Sequence, residues 1–165
     1  MARKEVITFP HQVLRQNCEA VANINGDIIQ LIDDMAETMY AYRGVGLAAP
    51  QIGVTKRIIV LDVGQGLISL LNPEIVDSEG TAVREEGCLC LPEITVNVER
   101  KEKIYLKGID QKGNEVAFEA DGLLARALQH EIDHLQGTLI IDKLSKLKRD
   151  MIIRRLRKQQ LKAQK

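Results

Sequence analysis

The chain has 165 residues, 45% of them hydrophobic, and its 23 basic residues are matched by 23 acidic ones. That length suits a single domain over residues 1–165 with one buried core, and zero net charge excludes any argument from average charge for a polyanionic or polycationic partner. The N-terminal MARKEVITFP lacks the apolar stretch of a secretory signal, and no later segment has the length of a membrane span. A soluble intracellular protein with no membrane role is therefore expected.

Three cysteines, Cys18, Cys88 and Cys90, form an odd set. In such a chain they argue for reduced thiols over a disulfide framework, so a thiolate is free to ligate a metal. His11, alone near the N-terminus, is read as an ordinary polar residue.

From Asp27 to Tyr42 the residues Ile28, Ile29, Leu31, Ile32, Met35, Ala36 and Met39 recur at three and four positions, which predicts an amphipathic helix. Asn25 or Asp27 caps its start, and Gly44 is the expected left-handed residue beyond its end. GVGLAAPQIG then reads as loop. Between Lys56 and Glu119 come short β-type runs, RIIVLDV, LISLLNPEIV, ITVNV, KIYLKGI and EVAFEA, separated by turns. No long helical pattern lies between them, so the sheets are expected to be antiparallel.

A second helix is predicted from an Asp121 cap to a Gly137 stop, with Leu124, Leu128, Ile132 and Leu135 on its core face. A third follows Ser145, with Leu147, Met151, Leu156 and Leu161 as its anchors. The expected fold is α+β: antiparallel sheets packed around a central helix, with one N-terminal and one C-terminal helix.

His130 and His134 lie four residues apart on the second helix, so both imidazoles leave one face one turn apart, the spacing of two ligands to one metal. Glu131 follows the first of them, where in H-E-x-x-H hydrolases a carboxylate holds and deprotonates the metal's water. The plain alternative is an ordinary helix with two unrelated histidines. Independent placement would yield this spacing roughly once in a thousand such compositions.

A catalytic site of this type needs a third ligand and an open position. Cysteines, His11 and carboxylates are all candidates. Cys88 and Cys90 sit in EEGCLCLP between two predicted strands, and spacing does not choose between them.

Three segments, GVGLAAPQ at 44–51, EGCLC at 86–90 and QHEIDHLQG at 129–137, resemble the signature motifs of the peptide deformylases. The resemblance extends over essentially the whole chain. It implies that Cys88 is the third ligand beside His130 and His134, and that the metal is ferrous iron, with zinc or another divalent ion able to substitute. It implies hydrolysis of the N-formyl group on the initiator methionine of nascent polypeptides, releasing formate. The metal's water attacks the formyl carbon, and Glu131 serves as base and then acid. Gln51 and the Leu89 N–H steady the formyl oxygen, and Val45 and Gly46 pair with the substrate backbone. Leu123 and Ala127 are expected to line the methionine pocket with Val45 opposite, the Arg126 stem beside them and its charge in solvent.

The sequence departs from that family at Cys90, where serine is usual. Cys90 is expected not to ligate the metal, because Cys88 and Cys90 on one short extended segment cannot both easily meet the same helix-borne ion. The tail from 146 to 165 carries Lys146, Lys148, Arg149, Arg154, Arg155, Arg157, Lys158, Lys162 and Lys165 against Asp150 alone. A solvated face explains such a run; the resemblance favours contact with the ribosome instead. A bacterial cytoplasmic location, or an organellar one in a eukaryote, follows. The competing readings are a metal-stabilised ribosome- or RNA-binding module without catalysis, and an endopeptidase with the same chemistry on another substrate.

Overall fold

A computed structural model describes residues 3–163; Lys165 of the basic tail lies outside them. Helix α1 (Gly26–Ala41) forms on the first periodic stretch. The Asn25 side chain accepts from the Ile28 N–H at 3.0 Å, which decides between the two candidate caps. At the other end the left-handed residue is Arg43, with φ 58, in place of the expected Gly44. The Gly44 N–H closes the motif on the Met39 carbonyl at 3.0 Å.

The predicted loop after α1 contains strand β1 (Gly46–Ala48) and a 3-10 turn (Ala49–Ile52). Three strand residues are too few to show a period. Strands β2 (Ile58–Leu61), β3 (Ile68–Glu79), β5 (Leu91–Arg100), β6 (Lys103–Ile109) and β7 (Glu115–Asp121) fall on the expected runs. Strand β4 (Ala82–Cys88) was not expected. Its buried position is held by Glu86 rather than an apolar residue, so the usual alternation is absent.

Every pairing between these strands is antiparallel, in a five-stranded sheet of order β1-β2-β3-β6-β7 and a two-stranded ribbon β4-β5. Helix α2 (Gly122–Leu135) packs Ala125, Leu128, Ile132 and Leu135 on one face of the large sheet, against Ile59, Leu61, Leu70, Ile104 and Leu106. On the other face α1 sets Ile28, Ile32, Met35 and Met39 against Ile58, Val60 and Leu71. Strand β2 is therefore buried on both sides and reads as a continuous apolar run. Each such fully buried side chain contributes about 1.5–3 kcal/mol. The observed fold is the expected α+β arrangement with the histidine helix at its centre.

The ribbon closes a third cluster, in which Leu91, Ile94, Val96 and Val98 meet Ile140 and Ile141 of a 3-10 turn (Ile140–Lys143) and Leu156 of α3 (Lys146–Ala163). Of the four anchors expected on α3, only Leu156 is buried; Leu147, Met151 and Leu161 are exposed. The stripe that faces the ribbon runs through Ile152, Ile153 and Leu156. Asp121 precedes α2 as expected, but its side chain makes no capping bond. Gly137, with φ 74, is the predicted stop. A Cβ there would lie 2.4 Å from the Arg15 carbonyl oxygen, so the position admits no side chain.

Candidate metal centre and active-site cleft

Helix α2 presents His130 and His134 one turn apart toward the β4-β5 ribbon, with ring centroids 5.0 Å apart. At the end of β4 the Cys88 thiol completes the group: Sγ lies 3.2 Å from His134 Nε2, which is 3.2 Å from His130 Nε2. One donor atom from each of the three lies within 4.8 Å of the other two. A tetrahedral ion with metal–nitrogen bonds of about 2.0–2.1 Å and a metal–sulfur bond of about 2.3 Å has donor–donor edges of roughly 3.3–3.6 Å. The donors thus already stand near those spacings, and a thiolate with two imidazoles suits iron or zinc. Among the described residues the group offers three protein donors, whereas a closed structural site takes four.

Of the two imidazoles, His130 is held by a hydrogen bond on its far nitrogen, whereas the buried His134 Nδ1 has no hydrogen-bond partner in the protein. His130 Nδ1 is 3.0 Å from Glu86 Oε1, which keeps the proton on that nitrogen and turns Nε2 to the site. Glu86 is itself buried and clamped by Arg100, at 3.0 and 2.9 Å, and by Arg126. Arg100 also reaches Asp133 on α2. Burial alone would raise the Glu86 carboxyl, but hydrogen bonds from His130 and Arg100 hold it at about 2. Arg126 does not reach solvent as expected. Its guanidinium donates to the carbonyls of Val98 at 2.9 Å and Ala82 at 2.7 Å, tying α2 to the ribbon.

Glu131 is buried beside the ligands, and its Oε1 has no hydrogen-bond partner in the protein. Burial pushes its carboxyl up to about 7. The hydrogen bond with Cys90 and burial push the Cys88 thiol up to about 11. A divalent cation reverses both trends, because a coordinating thiol is deprotonated outright and a neighbouring positive charge favours carboxylate. An orphaned carboxylate oxygen and a clustered donor set are what a metal and its water would satisfy.

Strand β1 supplies the opposite wall. The Val45 carbonyl accepts from the Asp62 N–H at 2.8 Å and so points into the sheet. Alternation along the strand turns the peptide groups of Gly46 and Ala48 to the open edge. There the Ala48 N–H donates to Gln51 Oε1 at 2.9 Å, which orients the amide so that Nε2 faces Cys88 Sγ at 3.6 Å. Leu89 lies in the two-residue turn between β4 and β5.

A cleft of about 530 Å³ joins these parts, lined by Val45, Gly46, Gln51, Cys88, Leu89, Leu123, Ala127, His130 and Glu131. That size suits a small substrate. Ala127 is on its floor, whereas Leu123 is 58% exposed and stands at its rim. Among the described residues Cys90 is outside the donor group, although its sulfur lies on the same side as that of Cys88, 3.2 Å away. Residues two apart in an extended segment share a face, and the turn at Leu89 and Cys90 keeps the two thiols together. His11 is ordinary: its Nδ1 accepts from the Val13 N–H at 3.0 Å and caps a 3-10 turn. The Glu86, Arg100, Arg126 and Asp133 network was missed because ion pairs between distant segments leave no periodic signal.

Gly46 packs on Glu131, and a Cβ on that glycine would lie 2.5 Å from Oε2 and 2.9 Å from Cδ. The buried carboxylate would have to move. Since a misplacement of about 1 Å can cost roughly 10²-fold, Gly46→Ala is expected to lower kcat by about that factor with metal content unchanged. Steady-state kinetics beside metal analysis of the same sample measure this, and an unaltered kcat would show that β1 does not position Glu131.

The model of the family described as polypeptide deformylase matches residues 3–150. The peptide deformylase of Thermodesulfovibrio yellowstonii is 55% identical over 156 residues, covering 92% of this chain and 94% of that protein. The crystal structure of a peptide deformylase from Legionella pneumophila superposes with a TM-score of 0.94 at 44% identity, covering 99% of both chains. The enzyme from Ehrlichia chaffeensis in complex with actinonin gives 0.94 at 40% identity, covering 96% of this chain and 98% of that one. With three clustered donors and an orphaned carboxylate at the cleft, the chain belongs to the polypeptide deformylase family and is a metal-dependent deformylating hydrolase.

Proposed function

We propose that this deformylase acts on the N-formylmethionine end of nascent polypeptides, with Glu131 as the group that moves the proton. The observation that carries the reading is the buried Glu131 Oε1, unpartnered and next to Cys88, His130 and His134. Ferrous iron held by those three residues, with zinc or another divalent ion able to substitute, supplies a Lewis acid and lowers the pKa of water in the site.

The chain's own residues do the rest. Glu131 accepts the proton of the attacking water and returns it to the departing amine. Gln51 Nε2, fixed by the Ala48 N–H, donates to the formyl oxygen as it gains charge, and the Leu89 N–H is its second donor. Gly46 offers its outward peptide groups to the substrate backbone as an added strand, while Val45 serves by its side chain because its carbonyl is engaged in the sheet. Ala127 and Leu123 receive the methionine side chain against Val45. The full-length protein with ferrous iron, kept anaerobic, should release formate from formyl-Met peptides and leave acetyl-Met peptides intact. No formate release would overturn the reading.

Nascent chains place the enzyme in the cytoplasm, at the ribosome. On α3 the basic residues Lys148, Arg154, Arg155, Arg157, Lys158 and Lys162 are exposed, while Ile152, Ile153 and Leu156 hold the helix to the body. Charge reversal thus tests ribosome binding with less risk to the fold than truncation. For Arg154→Glu/Arg157→Glu/Lys158→Glu we expect weaker co-sedimentation with ribosomes and a flatter salt dependence, the log–log slope falling by about 0.7–0.9 for each phosphate no longer neutralised. Binding with an unchanged salt slope would exclude α3 as the ribosome-facing element.

A further inference from the structure

The two sulfurs at the β4-β5 turn have different surroundings. Cys88 lines the cleft and is reached from solvent, whereas Cys90 is fully buried in the apolar cluster behind it. Their Sγ atoms lie 3.2 Å apart, and the partner register Cys88↔Leu91 makes Leu89 and Cys90 a tight two-residue turn. A disulfide has an S–S bond of about 2.05 Å. Closing it here takes an approach of roughly 1.2 Å between two side chains already on the same side of the turn.

From this juxtaposition we infer that Cys90 is a resolving thiol for Cys88: oxidation of the metal-ligating sulfur ends in a reversible Cys88–Cys90 disulfide that releases the metal. The oxidant is a hydroperoxide. The Cys88 sulfur attacks one peroxide oxygen, the O–O bond breaks, and Cys88 becomes a sulfenic acid as the other oxygen leaves as water or alcohol. The Cys90 sulfur then attacks the sulfenic sulfur, forming S–S and releasing water. Two thiols are oxidised and one peroxide is reduced. A sulfur in that bond no longer offers a thiolate, so a site left with His130 and His134 loses its ion.

Burial gives the two residues distinct parts. Peroxide entering the cleft meets Cys88 and not Cys90, so the first oxidation falls on the ligand. Cys90 is within reach before a second peroxide arrives, which diverts the sulfur from the irreversible sulfinic and sulfonic acids. Cys18 is remote from the cleft, packed against the α2 cluster, and takes no part.

The inference rests on Cys88 as a ligand only for the metal release, and the test separates the two. Full-length zinc-loaded protein is treated with hydrogen peroxide and then denatured for thiol titration and intact mass, with zinc release followed by a colorimetric chelator. Zinc avoids redox chemistry at the metal itself. The expected result is a fall from three titratable thiols to one, a mass lower by two hydrogens, and release of zinc, all reversed by a dithiol reductant with added zinc. Cys90→Ser and Cys90→Ala should instead gain oxygen atoms at Cys88 that the reductant does not remove. Oxygen addition to wild-type Cys88 with Cys90 still titratable, or a disulfide between chains, would overturn the resolving role. An internal disulfide with zinc retained would uphold the sulfur chemistry and overturn Cys88 as a ligand.

Discussion

Glu131→Gln is expected to lower kcat by about 10²- to 10⁴-fold, the usual worth of a positioned acid/base. Metal content and KM should change little, because the Glu131 carboxyl is not among the three donors. The amide is nearly isosteric, so it keeps its packing on Gly46 while removing the proton acceptor at Oε1. A variant with near wild-type kcat would force the proton onto another group.

The same substitution has a stability signature in the chelator-treated protein. Burial raises the Glu131 pKa to about 7 from the ordinary 4.5, so the folded chain retains a proton that the unfolded chain gives up. The stability it contributes is complete below pH 4.5 and is lost as pH rises through about 7. Glutamine does not titrate. Denaturant unfolding at pH 5 and pH 8 should therefore show a smaller loss for the variant, by up to about 3 kcal/mol.

Much of this site could be read in advance because it lies on α2. The His130 and His134 pair depends on helical period alone, as do the core positions Leu128, Ile132 and Leu135, all buried. Residues whose role depends on chain reversal were less legible. Cys90 is one: residues two apart in an extended segment share a face, and at the two-residue turn its sulfur lies 3.2 Å from that of Cys88, beside the donor group. Strand β4 was hidden because the side chain it buries is Glu86, whose partners Arg100, Arg126 and His130 come from β5 and α2. Which carboxylate pairs with which guanidinium is set by the tertiary fold and leaves no local pattern.

Glu86→Ala is expected to have the largest effect on the fold. Arg100 is 5% exposed and Arg126 is largely enclosed, so removing their shared carboxylate leaves two poorly solvated guanidinium groups. Breaking such a pair from one side costs about 3–5 kcal/mol. Glu86→Gln keeps the shape and an acceptor for the guanidinium groups, and separates folding from metal binding. The amide oxygen and nitrogen compete for His130 Nδ1, so the ring loses its fixed tautomer, and metal affinity should fall about 10- to 100-fold. Acid behaviour supplies an independent check. Because the Glu86 carboxyl is held at about 2, it contributes stability above pH 4.5 that is lost as pH falls toward 2. Glu86→Gln should remove that part of the acid sensitivity. If it instead bound zinc as tightly as wild type in a competition titration, then packing of α2, and not the Glu86 hydrogen bond, would be what aims His130 at the metal.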